Sequence, residues 1–288
     1  MAAIRDVVHR VPWTRQPQFP VPIDWGNPVT VGLQAAFSPV TGRMVDTSQN
    51  GSTPPSADTG TQQIGIAGIS RAYTGGTKST FANSPRYGLA SAMTLVVVCD
   101  VNTLTNYGAL ISCENQPDVS GWELRVGNGP TDSVILASRS TSGGYYQYKT
   151  GANRINAGSK NNFVAVTYPS ALVESTPSFY VNGVAYAAVF VGNTSTGAQL
   201  ASTLTLDIGA RAAGTTQLDG AVLFAGLWNR ALAAGEIESL RGNTSQVYLG
   251  QSRRIWTPTA GGIPTLSAST FKPATVTSTG WTPRVTAT

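Results

Sequence analysis

Phe163-Val-Ala-Val-Thr-Tyr168, Phe179-Tyr-Val-Asn-Gly183, Leu206-Asp-Ile-Gly209 and Leu218-Asp-Gly-Ala-Val-Leu-Phe-Ala-Gly-Leu-Trp-Asn-Arg-Ala-Leu232 follow one another in that order, and Glu236-Ile-Glu-Ser-Leu240 closes the series. The runs rich in Val, Phe, Tyr and Leu suit a pleated, half-buried surface. Asn182-Gly183 supplies two residues that tolerate positive φ, as a two-residue type I′ hairpin turn requires. The last piece differs. Residues 229–241 bring Leu232, Ile237 and Leu240 within reach of one helical face, which predicts a short helix at about 233–241 with Gly242 where it stops.

Upstream the same grammar continues. Leu33–Phe37 is a short apolar run, and residues 46–62, rich in Ser, Thr, Gly, Pro and Asp, read as a loop. Strands are predicted at Met93–Val101, Ala109–Cys113, Trp122–Val126, Val134–Ser138, Tyr145–Lys149, Phe163–Tyr168, Ser178–Val181, Val184–Phe190, Leu204–Ile208 and Leu223–Trp228. Many short strands with turn punctuation imply an all-β sandwich or barrel.

Composition agrees. Charged residues make up 11% of the 288, with 31 Gly and 17 Pro, which excludes a coiled coil or long helical bundle. Hydrophobic content of 41% is enough for a core. No apolar run approaches the roughly 20 residues of a membrane helix. A single histidine, His9, argues against Ser-His-Asp or Cys-His catalysis and His-rich metal sites.

The net charge of +5 is unevenly placed. Residues 1–25 carry +1, residues 26–250 balance 12 bases against 12 acids, and residues 251–288 carry +4 with no acid. A neutral body gives no sign of nucleic-acid binding. Cys99 and Cys113 lie in neighbouring apolar runs that could form a hairpin. Two buried thiols are expected, with a bridge as the alternative. Met1-Ala-Ala-Ile-Arg-Asp6 lacks the apolar stretch of a signal peptide, so synthesis in a cytoplasm is expected.

Both flanks read as extended arms around a body at 26–250. Residues 1–25 hold Pro12, Pro17, Pro20 and Pro22 with Trp13, Phe19 and Trp25 spaced between them. Residues 251–288 are basic and rich in Ser, Thr and Pro, with Arg253, Arg254, Trp256, Phe271, Trp281 and Arg284 as candidate contact residues. Large aromatics on an arm imply a surface to bury them, each worth about 1.5–3 kcal/mol.

The stretch from Phe163 to Leu240 resembles the laminin-G-like, concanavalin A-like jelly roll, in which a strand ending in Trp-Asn-Arg-Ala-Leu leads into a short helix near the end of the domain. The resemblance covers roughly residues 29–245. It implies an antiparallel β-sandwich with tight turns at Gly209 and Gly220 and with Leu232, Ile237 and Leu240 plugging one end. The flanks, including Pro20-Val-Pro-Ile-Asp-Trp25 and Ser278-Thr-Gly-Trp281, resemble laminin-G-like proteins of tailed bacteriophages, although Thr244-Ser245 stands where those relatives often have Pro-Trp. That likeness implies a virion structural protein, assembled in the host cytoplasm. It would decorate the head or form part of a fibre, bound through its arms to capsid or tail subunits and to copies of itself. The alternative is a glycan-binding module for host attachment; neither a nucleic acid nor a membrane is expected as partner.

Evidence for catalysis is thin. Glucanases of this fold carry Glu-x-Asp-x-x-Glu on one strand, lining up two carboxylates, and that motif is absent. Glu236 and Glu238 sit two apart on a predicted helix and point to different faces; they read as charges favoured by the helix dipole. Asp100, Glu114 and Asp118 are candidate oxygen donors for calcium at a strand-end rim, or else ordinary solvated loop acids. No catalytic residue and no cofactor is assigned. Tyr145, Tyr146 and Tyr148 are candidates for stacking on sugar rings, with cross-strand packing as the alternative.

Overall fold

A computed structural model describes residues 22–248 and the strands at 254–257 and 265–268. Within the first span it omits residue 41, the loops 49–53, 66–67, 88–90, 105–106, 115–120, 128–133, 140–144, 192–196 and 212–215, and residues 171, 173–174, 199–201 and 203. The chain divides into two units, Met1–Leu249 and Gly250–Thr288.

In the first unit the strands are, in chain order, β1 (Leu33–Val40), β2 (Arg43–Asp46), β3 (Ala57–Asp58), β4 (Thr61–Gly65), β5 (Gly68–Tyr73) and β6 (Ser79–Phe81). Then come β7 (Met93–Val101), β8 (Gly108–Ser112), β9 (Trp122–Val126), β10 (Val134–Arg139), β11 (Tyr145–Lys149) and β12 (Asn162–Tyr168). The last are β13 (Ser178–Val181), β14 (Val184–Ala187), β15 (Val189–Phe190), β16 (Leu206–Ile208) and β17 (Gly220–Trp228), followed by the helix α1 (Ala234–Gly242).

Two antiparallel sheets form a sandwich. The first runs β14-β13-β12-β7-β17-β1-β2, with β5 on β17 and β4 on β5; the second runs β15-β11-β10-β9-β8-β16-β6-β3. β7 explains why the centre of the first sheet is apolar without a break. Leu95, Val97, Cys99 and Val101 join the core between the sheets, while Val96 and Val98 join a second core on the sheet's other face. A strand buried on both faces has no polar side to show. The second core is closed by Leu232, Ile237 and Leu240 of the helical segment, and by Ile23, Val247 and Tyr248. The indole of Trp228 donates to the Val29 carbonyl at 2.8 Å, and that of Trp122, in the main core, donates to the Tyr87 carbonyl at 2.9 Å.

Local chemistry sets the turns. Asn182 and Gly183 take φ of 53° and 88°, the type I′ signature. Asn182 also accepts the Phe163 amide on its side-chain oxygen at 2.8 Å, tying the turn to β12. Gly209 takes φ of 93°, and a Cβ there would stand 2.3 Å from the Tyr73 ring. Gly220, expected in a turn, begins β17 instead. It is glycine because a Cβ would stand 2.0 Å from the Asp100 carbonyl oxygen of the neighbouring strand.

Other expectations change. The predicted loop at 46–62 contains β3 and the start of β4; Asp58 pairs with Arg71 at 2.8 Å and accepts from Ser79 at 2.9 Å, so the polar residues that suggested a loop are the bonds of a sheet edge. The predicted strand Val184–Phe190 is two strands in different sheets, because the chain crosses from one sheet to the other at Ala188. β7 and β8 also separate, one to each sheet, so the cysteine runs form no hairpin; Cys99 and Cys113 are free, buried thiols.

In the second unit, β18 (Arg254–Thr257) and β19 (Thr265–Ala268) pair antiparallel, with Trp256 opposite Leu266. Arg254 and Trp256 are described only as backbone. Trp13, Phe19, Arg253, Phe271, Trp281 and Arg284 lie outside the described residues. Trp25 is 57% exposed. Immediately before it, Ile23 bridges to Tyr248 and the Asp24 amide donates to the Val247 carbonyl at 2.8 Å, so the body takes in residues assigned above to the arm.

Candidate functional site

Strand register writes two rows across the outer face of the second sheet. Residues directly opposite on neighbouring strands share a face. Leu124, Leu136 and Tyr148 are opposite one another and face the core. Their sequence neighbours therefore face out. One row runs Thr80, Asp207, Ser112, Glu123, Ala137, Gln147. The next runs Ala109, Arg125, Ile135, Lys149.

Charged groups gather at the middle of these rows. Arg125 Nη1 lies 3.2 Å from Glu123 Oε2, and Arg211 Nη1 lies 3.5 Å from the same oxygen and 4.0 Å from Glu114 Oε1. The Thr216 hydroxyl donates to Glu123 Oε1 at 3.1 Å. The Arg125 guanidinium stands 4.2 Å from the centroid of the Tyr107 ring, a cation–π contact. Toward β6, Asp207 accepts from Lys78 Nζ at 2.9 Å and from the Thr80 hydroxyl at 2.6 Å.

Glu123 is fully buried, and burial pushes its carboxyl above the ordinary range. Arg125 opposes that shift, Glu114 reinforces it, and Arg211 and the Thr216 hydrogen bond oppose it. A carboxylate so enclosed and already paired is built to orient its arginines. A general acid or base must reach the proton it moves, and neither Glu114 nor Glu123, at 2% and 0% exposure, reaches solvent. What the face offers outward is partly buried polar groups: Lys78, already on Asp207, and Thr80 at one end, Tyr107 and the 11%-exposed Arg125 in the middle, Gln147 and Lys149 at the other.

The tyrosines expected to stack on sugars are placed differently. Tyr146 and Tyr148 are 8% and 5% exposed and face the core, where their rings pack against each other and against Phe190 at 4.9–5.9 Å between centroids. The parity of β11 decides this: Gln147 and Lys149 take the outer positions. The Tyr145 side chain lies outside the described residues. The calcium trio does not gather. Asp100 accepts from the Asn161 amide at 2.7 Å, near the start of β8, whereas Glu114 lies beyond that strand's other end beside Arg211. Asp118 is outside the described residues, and among those described no group of acids, His and Cys fits a metal ion.

Glu236 and Glu238 are structural. Glu236 accepts from the Ala233 amide at 2.8 Å, capping α1, and pairs with Arg230 at 2.6 Å; Glu238 pairs with Arg241. Glu123, Arg125, Arg211 and Asp207 were not singled out from sequence. The alternation Trp122-Glu123-Leu124-Arg125-Val126 was the available signal, since it places both charges on one face of β9.

The comparisons with known proteins agree with this architecture. No curated protein matches. The binding domain of paraclostridial mosquitocidal protein 1 superposes with a TM-score of 0.54 at 14% identity, covering 74% of this chain and 52% of that one, so the chain spans about half of it. Domain 4 of an extracellular arabinanase from Geobacillus stearothermophilus, solved with arabinotriose, gives 0.52 at 15% identity, covering 73% of this chain and 98% of that domain. The sialidase of Trypanosoma rangeli, solved with sialic acid, gives 0.52 at 19%, covering 77% and 34%. The sequence profile of the concanavalin A-like lectin/glucanases superfamily, laminin-G type, matches residues 74–238, which is more than half of the chain and holds every strand of both rows. With two antiparallel sheets, an α-helix after β17 and that match, this chain belongs to the laminin-G-like family of the concanavalin A-like lectin/glucanases superfamily.

Proposed function

We propose that this chain is a non-catalytic carbohydrate-binding module that receives its glycan on the outer face of the second sheet. One observation carries the reading: the two cross-strand rows, whose middle carboxylate, Glu123, is locked to arginines while the side chains of Lys78, Gln147 and Lys149 stay partly exposed. Sugars are held by such preorganised planar and charged groups, which bond vicinal hydroxyls in pairs. The likeness to a whole arabinanase domain solved with arabinotriose supports the same reading.

The test is a glycan array probed with the full chain, with and without calcium, followed by calorimetry on any hit. A Gln147→Ala/Lys149→Ala double variant should weaken binding by at least about tenfold, the equivalent of roughly 1.4 kcal/mol. An array without hits in either condition overturns the proposal. Hydrolysis of a bound oligosaccharide would overturn its non-catalytic part. A virion structural role has the resemblance of the flanks behind it. Mass spectrometry of purified particles tests that role, and absence of the chain from them ends it.

A further inference from the structure

The aromatic rings of the second sheet mostly belong to the core. Phe81, Trp122, Tyr146 and Tyr148 are 8% exposed or less and pack between the sheets. Tyr107 is placed differently. It stands just before β8, whose first residue, Gly108, lies opposite the core-facing Val126 of β9. The residues on either side of Gly108, Tyr107 and Ala109, therefore take outer positions. Arg125, an outer residue of β9, sets its guanidinium 4.2 Å from the Tyr107 ring centroid, which agrees with that side. Among the described residues Tyr107 is the one aromatic ring on the outer face, and it stays partly exposed.

The ring is held in place from two directions. Its own carbonyl accepts the Gln217 amide at 3.1 Å, which pins the backbone to the segment after β16. Against the ring, Arg125 is fixed through Nη1 on Glu123 Oε2 at 3.2 Å, and Arg211 and the Thr216 hydroxyl close on the same carboxylate. Glu123 is fully buried, and the Arg125 Nε is buried without a hydrogen-bond partner. A buried donor left unsatisfied costs free energy, so the guanidinium sits where Glu123 and the ring hold it and not where its hydrogen bonding would be complete.

We infer that Tyr107 is the platform on which a sugar ring stacks. The inference rests on the glycan reading and names the class of ligand within it: a pyranose that lays a face of C–H bonds on the ring and turns its hydroxyls to the polar groups beside it. Arg125, already against the ring, repels a second cation, so an amino sugar with a free ammonium group is disfavoured. A ring fixed in advance loses little freedom when it binds, and more of its contact energy appears as affinity.

The experiment is a printed array of neutral, acidic and ammonium-bearing oligosaccharides, probed in parallel with the full chain, with Tyr107→Ala and with Tyr107→Phe. On every spot that the unaltered chain binds, Tyr107→Ala should weaken binding by at least about tenfold, whereas Tyr107→Phe, which keeps the ring, should stay within about twofold. Ammonium-bearing spots should stay empty. If Tyr107→Ala binds as the unaltered chain does, the inference is overturned and the glycan reading stands. Equal loss in the Phe variant also overturns it, because the hydroxyl and not the ring would then make the contact, and so does binding confined to ammonium-bearing sugars. No binding by the unaltered chain ends the glycan reading and this inference together. If Tyr107→Ala fails to fold, the unaltered chain with isotope-labelled tyrosine decides. Its Tyr107 ring signals, identified by their loss in Tyr107→Phe, should shift when the tightest array oligosaccharide is added, and unmoved signals overturn the inference.

Discussion

Gly209 shows how one missing methyl group can hold two sheets in register. Its φ of 93° lies where side chains are disfavoured, and the Tyr73 ring occupies the place of its Cβ. Gly209→Ala is expected to destabilise the fold by about 1–3 kcal/mol from overpacking alone, read as a fall in the urea midpoint. The two cysteines illustrate the opposite economy, reactive groups made inert by their surroundings. Burial pushes the Cys113 thiol up to about 11 and that of Cys99 higher still. Thiolate is the reactive form. Neither residue should react with a thiol reagent at neutral pH in the folded chain, and both should react in denaturant; rapid labelling without denaturant would contradict this packing.

At the scale of elements, α1 carries a pH dependence of known sign. The hydrogen bond from Arg230 holds the Glu236 carboxyl below its ordinary range, and the Ala233 amide adds to the effect. A depressed carboxylate stabilises the fold above its unfolded-state pKa, and that contribution is lost as pH falls through the folded value. Glu236→Gln should therefore lower the melting temperature at pH 7 by a few degrees at most, since the pair is partly exposed. The gap between variant and parent should narrow as the pH falls from about 6 to 3. A gap that stays constant would show that the charge is irrelevant to the helix. The helix and most strands were legible because their periods are local. β7, β9, β11 and β13 match their predicted bounds, since alternation and turn residues mark both ends. The break at Ala188 was not legible: an apolar run looks the same whether it stays in one sheet or changes sheets. The candidate site was hidden for a related reason. Arg211 meets Glu123 only because β8 carries β9 on one side and β16 on the other, and pairing of distant strands leaves no mark on spacing. The same blindness turned Tyr146 and Tyr148 into surface candidates, although strand parity alone would have sent both of them inward or both outward.

At the scale of the molecule, the clasp at Ile23 and Tyr248 predicts where the chain can be cut. Ile23 is 4% exposed within the second core, and Asp24 hydrogen-bonds the Val247 carbonyl. A chain of residues 22–249 should melt as the full chain does. One beginning at residue 26 should lose the roughly 1.5–3 kcal/mol of a buried Ile and melt measurably lower; equal melting of the two would mean that the clasp is ornamental.

The clasp also brings the two ends of the described body together. Ile23 and Tyr248 lie side by side on the helix-covered face of the first sheet. Such a body interrupts a longer polypeptide without prising its two sides apart, as an inserted domain must. The rows of Glu123 and Arg125 belong to the other sheet of the sandwich, so a tether gathered at the clasp leaves that sheet's outer face uncrossed by either end of the described body.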